Sequence, residues 1–452
     1  MKTYADLAEM ERKAQQTLDM ALSRGAHTAE AQVHRRQEFE VEVRNGDIEN
    51  LCEAEPFEVA LTVSRDHRRA SVHSCDWSAE ALSDLVDQAM VLCKYTDRDT
   101  FYALPQKDQL ATEFRELDAF DDDILDMSVV DKIAMAKELE NKMLAIDSRL
   151  RSDGASMTTM VSATAIANSA GFCRAESRTV IGLGVSGFAE DTVAEGDLNT
   201  GRKQSGSWGT HRRHIEDLRS TDEVAALAAR QVLRKIGARK PRTGNFPVYF
   251  EPAVARSIWG HLFSAMTGGS IYRNESFLVD ALGTRIGSDL LEITEDPFIP
   301  RGQASQNYDR EGVAKTRRKL VDRGNLETYL LSTYSANKLN MKTTGHAGGL
   351  TNLLIKPGTD DEESLIRKMN QGVWVTGVIG QGVNVSTGDY SRGAIGLWIE
   401  NGEVAYPVME FTLNSNLKTM LGNISMIGDN VQTDWSVQTP GFVISEMAVS
   451  GT

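Results

Sequence analysis

The chain has 452 residues, 41% of them apolar, together with 37 glycines. That is enough for two or three domains with buried cores, and it excludes a mostly disordered polymer. Lys and Arg number 49 against 64 Asp and Glu, a net charge of −15, which speaks against general binding to the densely anionic backbone of DNA or RNA. The first residues, Met1–Glu11, are charged where a secretory signal would be apolar. The most apolar helical stretch, Pro252–Thr267, is broken by Arg256 and His261, short of the roughly 20 residues that a membrane span requires. We therefore expect a cytoplasmic protein without a membrane segment. Cys52, Cys75, Cys93 and Cys173 show no CxxC and no regular spacing, so they read as buried free thiols in a reducing compartment.

The first two dozen residues predict a helix, with Leu7, Met10, Ala14, Leu18, Ala21 and Leu22 at helical spacing and Gly25 as its stop. Phe39–Arg44 then alternates with period two, and Asn45-Gly46 supplies the positive-φ pair of a tight hairpin. Strands are expected at Glu58–Ser64 and Arg69–Ser74, and a helix at Ser78–Lys94, followed by a loop rich in Asp and Pro. Val129–Arg149 predicts a long amphipathic helix. From Ser156 the pattern is again strand-like, with Asn168–Gly171 as a turn, and Asp222–Ile236 predicts a helix closed by Gly237. Segregated blocks of helix and strand indicate an α+β class rather than a βαβ alternation.

Arg234–Gly244, basic and punctuated by Pro and Gly, reads as a boundary whose cations stay solvated. It divides an α+β region at 1–240, with a subsidiary break near 100–128, from a domain at 243–452. Beyond it the sequence predicts a helix at Pro252–Met266, a helical stretch at Ser335–Asn340, and otherwise short strands and Gly-rich turns, including an Asn401-Gly402 hairpin. This second domain is β-rich, a barrel or a sandwich.

Gly182–Gly187 spells GxGxxG, but Phe188–Gly196 does not read as the helix that would receive a pyrophosphate. It reads instead as a Gly-rich strand. No P-loop, HExxH or zinc-spaced His/Cys cluster occurs. His211 and His214, in a Thr-His-Arg-Arg-His run, read as a solvated face, since the flanking cations would repel a metal. His261, in an otherwise apolar helix, reads first as a hydrogen-bonded core histidine.

Asp296–Gly302, Tyr308–Val313, Gly324–Ala336, Thr344–Ala347, Thr387–Ala394 and Trp398–Glu403 together resemble the TldD/PmbA family. The resemblance extends over almost the whole chain. It implies an α+β N-terminal region, a β-rich C-terminal domain, and one of the two subunits (TldD, and TldE or PmbA) of a cytoplasmic metallopeptidase once called a modulator of DNA gyrase. Such a complex trims peptides and unfolded chains, including precursors of peptide antibiotics and an antitoxin.

The TldD-type subunit of that family carries HExxxH on a helix, with two zinc-binding histidines, a glutamate for the attacking water and a downstream cysteine. The matching positions here are Arg256, Ser257 and His261, and no cysteine follows Cys173. One histidine does not supply the three protein ligands of a catalytic zinc, and Arg256 would repel the ion. Gly268–Arg273 resembles the TldE/PmbA branch, which lacks the metal motif. The resemblance therefore implies a non-zinc subunit that binds no metal of its own, with zinc supplied by a TldD-type partner. The alternative is a stand-alone homodimer that binds peptides or regulates another protein without catalysis. Direct action on gyrase or DNA is a third reading, suggested only by the old family name, and the negative charge disfavours its DNA-contact version.

Candidate substrate-binding residues are Asp389, Tyr390, Ser391, Arg392 and His261. Arg392 would hold a carboxylate in a bidentate fork with Asp389 fixing it in place, and the Gly-flanked loop would seat an extended peptide by β-type pairing. The competing reading of the same loop is an internal Asp389–Arg392 ion pair that holds a turn. No catalytic residue is assigned.

Overall fold

A computed structural model describes residues 4–191 and 201–451. Helix α1 (Leu7–Ser23) is capped by Asp6, which accepts the Glu9 amide, and it buries Met10, Ala14, Leu18 and Ala21. Four strands follow: β1 (Thr28–Arg44), β2 (Asp47–Ala54), β3 (Phe57–Arg65) and β4 (Arg68–Ser74). Asn45 and Gly46 take φ of 53° and 82° between β1 and β2, as the expected hairpin requires. Then come α2 (Ala79–Cys93), α3 (Asp122–Asp126) and α4 (Val129–Ile146). The last ends three residues before the expected Arg149, because Asp147 turns extended. β5 (Arg151–Asn168), β6 (Phe172–Glu190), β7 (Lys203–Arg212) and α5 (Thr221–Leu233) complete this part.

These strands form one antiparallel sheet in the order β4-β3-β1-β5-β6-β7, with β2 paired to β1. On β1 the odd-numbered Ala29, Ala31, Val33, Phe39, Val41 and Val43 are buried, while Arg35 and Gln37 at its middle are partly exposed. Helices α1 and α2 cover one end of that face and α4 and α5 the other, because a period of two puts all the small apolar groups on one side. Gly182, Gly184 and Gly187 lie within β6. A Cβ at Gly182 would meet the His211 ring, and one at Gly187 the Met143 side chain, each at 2.4 Å. The glycines therefore serve close packing. Of the Phe188–Gly196 reading, residues 192–196 lie outside the described residues.

The rest begins with β8 (Gly244–Phe250), α6 (Pro252–Met266), α7 (Gly268–Tyr272), β9 (Ile293–Asp296), β10 (Arg318–Asp322) and β11 (Asn325–Leu326). Next are α8 (Thr333–Leu339), β12 (Asn352–Ile355), α9 (Glu362–Met369), β13 (Gly372–Ile379), β14 (Asp389–Glu400) and β15 (Glu403–Asn416). The chain ends with α10 (Leu417–Gly422), β16 (Ile424–Ile427), β17 (Val437–Gln438) and β18 (Phe442–Ser450). Strands run β15-β14-β13-β8-β18, and β18 pairs back onto β15. This closes a five-stranded barrel that has no free edge within the ring. A smaller sheet, β11-β10-β9-β12-β17, packs with it and with α6 around one large core. The α+β class and the β-barrel-like C-terminal region are thus as expected.

Several local expectations are corrected. Helices α7, α9 and α10 were not anticipated. Asp361 caps α9, with Glu362 and Glu363 in its first turn and Arg367 and Lys368 in its last, a favourable charge order on a helix with a single buried turn. All four cysteines are free, but only Cys93 is buried, while Cys52 and Cys75 are exposed. His211 is solvated, whereas Arg213 and His214 are buried. After β7 the chain turns inward there, so that Arg213 donates to Thr179 O at 3.0 Å and His214 Nε2 bonds Asp118 O at 2.8 Å. In the basic boundary segment, Arg234 and Lys235 are half-buried and pinned rather than solvated. No described helix is long and apolar enough to cross a membrane.

Candidate functional site

Helix α6 organises the site. It starts at Pro252, a residue pre-set for the first helical turn. The preceding Glu251 is buried and accepts two hydrogen bonds from Arg234, at 2.8 and 2.7 Å, and one from Trp374 Nε1 at 3.0 Å. This bolts the start of α6 to the end of α5 and to β13. Val254, Ala255, Ile258, Trp259, Leu262 and Phe263 face the core. Trp259 Nε1 donates to Thr439 Oγ1 at 2.8 Å. The remaining stripe carries Arg256, Ser257, Gly260 and His261.

Arg256 and Ser257 line a cleft of about 770 Å³ between β7, the end of α5, α6, β13 and Trp435. The Arg256 guanidinium lies over the Trp435 ring, 3.5 Å from its centroid, and Trp435 in turn lies 5.6 Å from Trp208. Asp434, the residue before Trp435, anchors this segment of chain. It is fully buried and receives Arg219 Nε at 2.7 Å and Nη2 at 2.9 Å, Arg212 Nη2 at 3.0 Å and Gln432 Nε2 at 2.7 Å. Burial pushes the Asp434 carboxyl up, but the hydrogen bonds and charges of Arg219 and its neighbours outweigh it and keep the net shift downward. Neither Trp435, Trp208 nor Asp434 is marked by sequence spacing, because the cleft is assembled from segments more than 200 residues apart.

One turn further along α6, His261 meets the start of β14. Its ring stands edge-on to Tyr390, with centroids 6.4 Å apart. His261 Nε2, the Tyr390 hydroxyl and Arg392 Nε are all buried without a hydrogen-bond partner. Burial first, and the Arg392 charge second, hold the His261 pKa below the ordinary imidazole value. Burial pushes the Tyr390 phenol up to about 12. The expected hydrogen-bonded core histidine is therefore corrected to a half-buried, unpaired one.

Residues 389–392 form the first turn-free stretch of strand β14 rather than a loop. Strand alternation splits the candidates into two groups. Tyr390 and Arg392 face His261, whereas Asp389 and Ser391 are exposed. Asp389 bonds Thr387 Oγ1 at 2.6 Å and Asn416 Nδ2 at 3.3 Å, and Ser391 Oγ bonds Asn414 Oδ1 at 2.6 Å. Asp389 and Arg392 form no ion pair with each other, since positions three apart on a strand face opposite ways. Ser391 contacts no histidine. Both backbone edges are also engaged, by β15 on one side and by Asn384 N–Asp389 O and Ser391 N–Gly382 O on the other. An added peptide strand finds no free edge at this place.

His346 lies apart from this stripe, buried against β9. Its Nε2 bonds Glu295 Oε2 at 2.8 Å and its Nδ1 bonds Thr344 Oγ1 at 2.8 Å, while Glu295 Oε1 accepts both Thr351 N and Oγ1 at 2.9 Å. Burial lowers the His346 pKa. Burial opposes the Glu295 charge, but the His346 and Thr351 bonds and the Lys315 charge hold its carboxyl down to about 2. The surrounding motif residues thus build a saturated internal network.

A catalytic zinc requires three protein ligands and an open position. Of the α6 positions, Arg256 is a cation, Ser257 Oγ is spent on Val254 O at 2.8 Å, and only His261 is a ligand. Among the described residues, no group of three or more His, Cys, Asp or Glu is placed to hold a metal ion. The α6 residues do not fit a zinc ion.

Family models describing PmbA/TldA metallopeptidase domain 1, central domain and C-terminal domain match residues 29–93, 122–236 and 243–451. Metalloprotease PmbA of Escherichia coli O157:H7 is 35% identical over 424 residues, covering 94% of this chain and 92% of that protein. A PmbA homologue of Haemophilus influenzae is 34% identical over 438 residues, covering 96% and 94%. A crystal structure from Bacteroides thetaiotaomicron, of a protein suggested to modulate DNA gyrase, superposes with a TM-score of 0.93 at 26% identity over 100% of both chains. TldE of Thermococcus kodakarensis shares the fold, with a TM-score of 0.84 at 17% identity over 97% and 100%. With models matching most of its length and relatives this similar end to end, the chain belongs to the PmbA/TldD family of metallopeptidases.

Proposed function

We propose that this chain is the TldE/PmbA-type, non-zinc subunit of a two-subunit cytoplasmic peptidase, that a TldD-type partner supplies the zinc, and that the substrates are peptides and unfolded chains. The observation that carries this reading is α6 itself, which packs a full apolar face into the core while carrying Arg256 and Ser257 at the positions that the family resemblance assigns to a zinc ligand and a proton carrier. Loss of the donors with retention of the helix favours a subunit that shapes a peptide channel over one that performs hydrolysis. His261, Tyr390 and Arg392, with their unsatisfied polar atoms, are the groups we place along the peptide's path. Arg392 is the charged member, suited to an acceptor on the substrate.

The test is metal content and peptidase activity of the purified chain, alone and mixed with a TldD-type subunit. No stoichiometric zinc and no activity alone, with activity in the mixture, supports the reading. Zinc with activity alone overturns it, and a stable homodimer that binds peptides but never activates a partner favours the stand-alone alternative. Within an active mixture, Arg392→Ala should slow peptide turnover. Unchanged turnover with full assembly removes Arg392 from the substrate path.

A further inference from the structure

We propose that the cleft beside Trp435 is a carboxylate-binding site in which Arg256 grips the C-terminal carboxylate or an acidic side chain of a bound peptide. The proposal rests on the peptide-handling role above, which supplies the class of ligand. Arg256 makes no hydrogen bond or ion pair with the described protein, and its Nε is buried without a partner. A guanidinium with five donors is rarely left so, because an unmade hydrogen bond on a desolvated charge is costly. Its guanidinium rests over the Trp435 face, a cation–π contact that holds the fork without using its N–H donors.

The charges around it are already committed. Asp434, whose charge acts on Arg256, is taken by Arg219 and Arg212. Of the two acids that line the cleft, Glu251 is bound by Arg234 and Asp153 is paired with Arg44 at the rim. Lys235, also in the lining, donates to Ser205 O at 2.6 Å and has no carboxylate partner. Among the described residues the cleft therefore presents two cations without an ion-pair partner and no unpaired acid. A planar carboxylate matches the guanidinium edge in two parallel hydrogen bonds.

The experiment is calorimetric titration of the whole chain, without a partner subunit, with three N-acetylated hexapeptides of alanine: one with a free C-terminal carboxylate, its C-terminal amide, and an amide carrying one internal glutamate. The expected result is that a carboxylate-bearing form binds about tenfold or more tightly than the plain amide. The internal-glutamate arm decides between side chain and terminus. Arg256→Gln should bring that form down to the level of the amide, and Arg256→Lys should retain part of the preference, with thermal melts showing both variants folded. If neither carboxylate form exceeds the amide, if no peptide binds, or if folded Arg256→Gln keeps the preference, the proposal is overturned. The readout needs no catalysis, so an inactive subunit mixture leaves it standing, and its own failure leaves the mixing result untouched.

Discussion

Arg256 lies over Trp435, with its guanidinium carbon 3.5 Å from the ring centroid, on the stripe of α6 that also carries Ser257 and His261. The contact holds a positive charge at the mouth of the cleft and connects the C-terminal segment to α6.

Placing a histidine and a glutamate on α6 should not create a metal site. An Arg256→His/Ser257→Glu double variant would pair a new histidine with His261, yet two imidazoles remain one ligand short, and no cysteine follows Cys173. We expect less than one equivalent of zinc after dialysis against a weak chelator, measured by elemental analysis. Stoichiometric retention would show that a third ligand is within reach and that the donor-set argument is wrong.

His261 should titrate below the ordinary imidazole value of 6.5 and be neutral at pH 7, because burial and the Arg392 charge both disfavour the imidazolium. Arg392→Gln removes the smaller of the two causes, so the midpoint should rise and still lie below 6.5. Ring-proton NMR of the two proteins checks this. A midpoint that Arg392→Gln leaves unmoved would separate the two groups.

Much of the fold was legible in local chemistry. Asn45-Gly46 and Asn401-Gly402 mark hairpins because both members of each pair take positive φ. Pro252 and the apolar spacing after it delimit α6 at both ends. The site was legible only in part. His261, Tyr390 and Arg392 do converge, but Asp389 and Ser391 were grouped with them because flanking glycines made a strand look like a loop. Period-two alternation would have separated them. Trp435 and Asp434 carry no local signal, since their roles depend on Arg256, Arg212 and Arg219 arriving from distant elements. The burial of His214 was hidden in the same way, its partner Asp118 being 96 residues away.

Two glycines should respond in opposite senses to alanine. At Gly396, inside the barrel on β14, an added Cβ would stand 2.1 Å from the Trp374 carbonyl oxygen, and a backbone locked between two strands does not yield cheaply. We expect Gly396→Ala to cost about 3 kcal/mol. At Gly260, exposed within α6, a Cβ meets nothing within 4 Å and φ is helical. Gly260→Ala should stabilise by about 0.5–1 kcal/mol through the reduced freedom of the unfolded chain. Urea denaturation midpoints measure both, and a tolerated Gly396→Ala would show that the barrel can open locally.

The Glu295–His346 pair supplies a pH-dependent part of the stability. The Glu295 carboxyl is held at about 2 in the folded chain against 4.5 ordinarily. Below 4.5 the unfolded chain takes up a proton that the folded chain refuses, so this contribution is fully present above 4.5 and is lost as pH falls through 2. Its full size is about 3 kcal/mol. Glu295→Gln should therefore destabilise the protein by about 3 kcal/mol at pH 7, since it also leaves Lys315 buried without its nearest counter-charge. The deficit should shrink by about 1 kcal/mol on going to pH 4, where protonation of the wild-type unfolded state begins to remove the same contribution. Denaturant titrations of both proteins at the two pH values give the comparison. A deficit that stays constant between them would mean that Glu295 acts through its hydrogen bonds to His346 and Thr351 alone and not through its charge.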